Sequence, residues 1–120
     1  MPVLHHLAFR TSDPVALAQF YGSWLGLPTV RRVEHAVWLA LGSGVLMLER
    51  RTLDEPGLVA GSLELFAVEV SPTERLALRA RLVAGSMLEA ETAHTLYFRD
   101  PDGRRVGVSS FPLGSAFDPA

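Results

Sequence analysis

Four histidines, thirteen acidic side chains and no cysteine are the groups with which this 120-residue chain could do chemistry. Without thiols, disulfides, thiolate metal sites and a cysteine nucleophile are excluded together. Any metal would need imidazole and carboxylate ligands. Ser109 and Ser110 have no base beside them in a recognisable arrangement, so no hydroxyl nucleophile is expected. His6 is the best placed histidine. Strand alternation around Leu7 and Phe9 puts those two residues on one face and His6, Ala8 and Arg10 on the other. His5 then points away from His6 and reads as a rim or core residue. His35 and His94 start two later strands and read as rim residues. Trp38 and Tyr97 stand 59 residues apart and could give an aromatic lining for a planar molecule.

That spacing is not isolated. A shift of 59 residues also superimposes Ala8 on Ala67, Ser12 on Ser71, Leu17 on Leu76, Gly26 on Gly85, His35 on His94 and Gly44 on Gly103. Matches at one offset, falling at like positions, indicate a duplicated module. In the first copy a strand runs from Val3 to Thr11, and Asp13-Pro14 then starts a helix. Leu17, Phe20, Tyr21, Trp24 and Leu25 recur at helical spacing, and Gly26 ends the helix. Strands follow at Thr29–Val33, Ala36–Leu41 and Val45–Arg50, the last two joined through Gly42-Ser43-Gly44. The second copy has a strand from Leu63 to Val70, a helix from Ser71-Pro72 to about Val83, and Gly85 as its stop. Its strands lie at Met87–Glu91, Thr95–Arg99 and Arg104–Ser109, with Asp100-Pro101-Asp102-Gly103 as a hairpin turn. One domain over 1–120 is expected, with modules 1–52 and 62–110, a linker at 53–61 and an extended or mobile tail at 111–120.

Composition narrows the partners. A net charge of −2 gives no general pull on phosphate, so neither nucleic acid nor an anionic membrane is expected. Apolar runs such as 45–48 are far shorter than the roughly 20 residues of a membrane span. No basic segment precedes an apolar one at the N-terminus, so a cytoplasmic location is expected.

Three segments carry a family resemblance: His6-Leu7-Ala8-Phe9-Arg10-Thr11-Ser12-Asp13, Phe20-Tyr21 through Leu25-Gly26-Leu27, and Tyr97-Phe98-Arg99-Asp100-Pro101-Asp102-Gly103-Arg104. Over nearly its whole length the chain resembles the vicinal oxygen chelate family of glyoxalases, bleomycin-resistance proteins and extradiol dioxygenases. The resemblance implies an α+β fold of two βαβββ modules. Their mixed sheets would curl into a cup with the helices on its outer face. Active members hold one divalent metal there, on His and Glu ligands from the first and last strands of each module. Two neighbouring substrate oxygens chelate the metal, which stabilises the anion that forms.

Carried onto this chain, the resemblance fills its first ligand position with His6, seven residues before Asp13. The repeat puts the second at Leu65, which cannot bind a metal; a register aligning Pro14 with Pro72 would move it to Glu64. Another falls at Gly107, four residues after the hairpin glycine, and its counterpart in the first module at Leu48. Glu49 is adjacent, but a one-residue shift reverses the face, and a charged residue ending a buried strand usually lies at a solvated edge. His6 alone cannot hold a catalytic metal.

The favoured reading is therefore a binder resembling the bleomycin-resistance branch, with no metal or other cofactor. It would take a small aromatic or planar molecule into a cavity lined by His6, Trp38, Leu48, Leu65 and Tyr97, with Gly107 leaving room for the ligand. Family habit and open strand edges add a homodimer. The main alternative is a lyase, isomerase or dioxygenase using one Ni, Zn, Fe or Mn ion on His6, Glu49 and Glu64. A third is a metal-free enzyme with His6 as general base.

Overall fold

The computed structural model describes residues 1–113. The expected tail lies outside the described residues from 114 onward. Two compact units divide at Gly57 and Leu58.

In the first unit, β1 (His6–Thr11) leads to α1 (Pro14–Leu25), then β2 (Thr29–Val33), β3 (Ala36–Leu41) and β4 (Gly44–Arg50). Asp13 accepts the Ala16 N–H at the start of α1, and Gly26, at φ 69°, closes its end. The sheet order is β1-β4-β3-β2, with β1 parallel to β4 and the other pairs antiparallel. Gly44 permits the parallel pair to begin, because a Cβ there would stand 2.9 Å from the His5 carbonyl oxygen. That carbonyl accepts the Val45 N–H instead. Helix α1 packs on β3 and β4. Leu17 and Tyr21 from the helix, and Val37, Leu39, Leu46 and Leu48 from the sheet, are all buried. Each such side chain contributes about 1.5–3 kcal/mol on removal from water.

The second unit repeats the order with β5 (Leu65–Glu69), α2 (Pro72–Ala84), β6 (Ala90–Glu91), β7 (Thr95–Arg99) and β8 (Arg105–Ser109), arranged β5-β8-β7-β6. Leu78 and Leu82 from α2, and Leu96, Phe98, Val106 and Val108 from the sheet, form its core. Ser71 and Glu74 make a reciprocal capping box, each side chain accepting the other's backbone N–H at 3.1 Å. Ser71→Ala is expected to cost about 1 kcal/mol, seen as a lowered urea midpoint with an unchanged slope.

Four strands are shorter than their sequence pattern, β8 by its first residue alone. β1 starts at His6 and β5 at Leu65, because the preceding residues find no partner strand. β6 keeps only two residues, although Glu89 N–H still donates to the Tyr97 carbonyl. Leu48 departs from expectation more seriously. It is fully buried, opposite Phe9 and Val37, on the face that carries α1. The cause is hairpin length. Two residues separate the paired Leu41 and Gly44, whereas three separate Asp100 from Arg104, whose carbonyl it bonds. Trp38 still corresponds to Tyr97, but Met47, not Leu48, corresponds to Gly107. One residue reverses the face of a strand. No helix among the described residues is long and apolar enough to cross a membrane.

Candidate functional site

Each sheet has one face covered by its helix and one face without a helix. In the first unit, register places His6, Ala8 and Arg10 in phase with Val45, Met47 and Glu49, and Met47 opposite Trp38. His6, Trp38 and Glu49 therefore share the helix-free face, and Leu48 does not. Glu49 was expected at a solvated edge. Its side chain is partly exposed and accepts an ion-paired hydrogen bond from Arg10, its register partner on β1. Arg10 also reaches Glu55 through Nε at 3.2 Å and Nη2 at 2.9 Å. These hydrogen bonds, followed by one from the Thr52 backbone, hold the Glu55 carboxyl below its ordinary range.

His5 and His6 bring their Nδ1 atoms to 2.9 Å, with the rings edge-on at 5.1 Å. One nitrogen must carry the proton and the other accept it. His6 Nε2 remains for a ligand. His5 is thus a partner of His6, which the pleat alone did not indicate. Trp38 is half-buried, and the Arg31 guanidinium from β2 lies 5.1 Å from its ring centre. Such a contact contributes about 0.5–1 kcal/mol at an exposed site. Arg31 carried no motif, and only its cross-strand pairing with Trp38 reveals it.

On the second unit, Leu65, Ala67 and Glu69 are in phase with Arg105, Gly107 and Ser109, and Gly107 lies opposite Tyr97. Leu65, not Glu64, is therefore on the helix-free face. Glu64 is exposed just before β5, its N–H donated to Ser62 Oγ at 3.2 Å. The room expected beside Gly107 is filled. A Cβ there would stand 3.0 Å from both Leu65 Cδ1 and Ala67 Cβ, so the glycine admits the neighbouring strand's side chains. Arg105 stacks 4.2 Å from the Tyr97 ring centre and donates to Glu89 at 3.1 Å. Arg99 donates to the same carboxylate.

Glu89 is held below its ordinary 4.5 chiefly by the Arg99 hydrogen bond, with the Arg99 and Arg105 charges adding to it. A depressed carboxyl stabilises the fold above its unfolded pKa and loses that stabilisation as pH falls through its folded value. Urea midpoints should therefore decline below about pH 4.5, and Glu89→Gln should flatten that part of the profile.

At the metal positions implied by the resemblance, the first unit offers one imidazole, His6, and beside them one carboxylate, Glu49, already neutralised by Arg10. A cation approaching Glu49 would meet that guanidinium at close range. The second unit offers Leu65 and Gly107. Within either unit, no three His, Asp or Glu side chains among the described residues are grouped to hold a metal. Within each unit, the donor set does not fit a divalent ion.

A groove of about 330 Å³ lies elsewhere in the first unit, lined by Val15, Ala18, Gln19, Gly22, Leu27, Thr29, Arg32 and Val37. It is open, and none of His6, Trp38, Leu48, Leu65, Tyr97 and Gly107 lines it.

No family model matches the sequence, and no curated protein matches it. Solved structures do. A lactoylglutathione lyase from Agrobacterium tumefaciens shares 22% identity over 89% of this chain and 92% of its own, with a TM-score of 0.68. A possible glyoxalase from Bacillus cereus gives 20% identity, 89% and 97% coverage and a TM-score of 0.73. The oxidase ChaP-H2 gives 18% identity, 95% and 97% coverage and a TM-score of 0.73. At these identities the likeness establishes the fold. With its two βαβββ units and their mixed four-stranded sheets, this chain has the fold of the vicinal oxygen chelate proteins.

Proposed function

We propose that this chain binds a small planar or aromatic molecule on the helix-free faces of its sheets, without a metal. The observation that carries the reading is the Arg10–Glu49 ion pair. It commits to a side chain the strand carboxylate that shares a face with His6 in the first unit. What remains available there is aromatic surface from Trp38 and a polar edge from His6. Such a combination orients a flat ligand through one or two polar contacts.

A second reading follows from the solved relatives, which include a lyase and an oxidase. The shared face of His6 and Glu49 favours it: a lyase, isomerase or dioxygenase would use both on Ni, Zn, Fe or Mn once Arg10 released the carboxylate, although Glu64, the third ligand of that reading, does not share the face of Leu65. A metal-free variant would use His6 as general base, its Nδ1 held by His5. A homodimer is part of the same proposal, since Leu58, Val59 and Leu63 are all exposed apolar residues.

Fluorescence titration in EDTA tests the favoured reading, using neutral planar probes such as naphthol, indole and benzamide. Saturable quenching that disappears in Trp38→Phe, with Trp24 retained, is the expected outcome. Quenching only after divalent metal is added would support the second reading.

A further inference from the structure

The arginines on the helix-free faces are not equivalent. Arg10 is neutralised by Glu49 and Glu55, Arg99 by Glu89, and Arg105 by the same Glu89. Arg31 has no carboxylate partner among the described residues, and its guanidinium lies 5.1 Å from the Trp38 ring centre. Its place on β2 next to Trp38 puts this unneutralised charge beside the aromatic surface. A guanidinium at that distance from an indole ring centre is attracted by the ring's electron-rich face, and that contact uses none of its N–H groups for a carboxylate. Its planar fork matches a carboxylate, and less rotamer freedom is lost for each bond formed.

Resting on the reading above, we infer that the ligand is an aromatic carboxylate, with Arg31 holding its anionic group and Trp38 contacting its ring. The chemistry of the face selects this class. A neutral planar molecule would leave Arg31 unused, and a cation would be repelled by it. A larger anion such as nucleic acid would need several such charges, whereas Arg31 alone is unneutralised among these four arginines. On this strand Arg32 serves as an internal control. It is in phase with Val37, on the opposite face, and lines the groove on the helix side.

Titration of the full chain in EDTA separates the possibilities, with benzoate, 2-naphthoate and indole-3-acetate compared with their uncharged amides. The acids should bind at least about tenfold more tightly than the amides, the ordinary scale of one charge-assisted contact. Arg31→Gln should remove that preference, so that acids and amides bind alike, and Arg32→Gln should leave the preference as it was. Equal binding of acids and amides would overturn the carboxylate assignment while preserving the planar-ligand reading. An acid preference that survives Arg31→Gln would overturn the role of Arg31. No binding of any probe would overturn both. Circular dichroism of Arg31→Gln, expected to match the parent, excludes misfolding as the cause of a loss.

Discussion

Leu48→Asp is expected to destabilise the chain by about 4–5 kcal/mol or more, whereas Met47→Asp should cost about 1 kcal/mol. The contrast follows from one strand. Leu48 has no solvent exposure and lies in phase with Phe9 and Val37 on the helix-covered face. An aspartate there loses the burial of an entire leucine side chain and places a carboxylate among hydrocarbon. Met47 is half-buried on the other face, opposite Trp38 and beside Ala8. Since small domains are stable by only about 5–15 kcal/mol, Leu48→Asp should leave little or no folded protein at room temperature. Urea unfolding followed by circular dichroism measures both variants. The 59-residue register, which put Leu48 on the cavity face, predicts the reverse order.

Asp100→Ala is the second large effect, at about 2–4 kcal/mol. The Phe-Arg-Asp-Pro-Asp-Gly segment invites a catalytic reading of its acids, but the geometry is that of a turn. The Asp100 side chain is fully buried. Its Oδ1 accepts the backbone N–H groups of Asp102 at 2.9 Å and Arg104 at 3.0 Å. Its Oδ2 accepts from Arg104 Nη1 at 3.1 Å, and Asp102 takes the same guanidinium nitrogen at 2.9 Å. Alanine would leave three donors without this acceptor, and bonds to a charged group contribute more than neutral ones. Asp100→Asn retains an oxygen for the two backbone N–H groups and should recover about half of the loss. The urea midpoints of the two variants check this ordering. Equal losses would assign the whole effect to the charge and none to the turn.

The fold was legible because its signals are local and doubled. Asp13-Pro14 and Ser71-Pro72 start helices where the capping chemistry requires, and Gly26 ends the first in a left-handed conformation. Alternation at Leu7 and Phe9 assigns the faces of β1, and the alternating burial along the strand agrees. The site was less legible because it depends on cross-strand register. One additional residue in the β7–β8 turn reversed the assignments of Leu48 and Glu49 while leaving Trp38 and Tyr97 in place. Pairing also decided what no motif announces. The Arg10–Glu49 bridge joins residues 39 positions apart, and Arg31 meets Trp38 only across the β2–β3 ladder. The space assigned to Gly107 failed for a similar reason. A glycine in a strand can mean an open cavity or a close neighbour, and here the neighbours are Leu65 and Ala67.

Metal content is the most direct measurement of whether this vicinal oxygen chelate fold chelates. The full chain, purified without a chelating tag and dialysed against Ni, Zn, Fe and Mn in turn, should retain far less than one equivalent of any of them by elemental analysis. His6→Ala and Glu49→Ala should leave that figure unchanged. One equivalent of metal per chain, lost in both variants, would contradict the account.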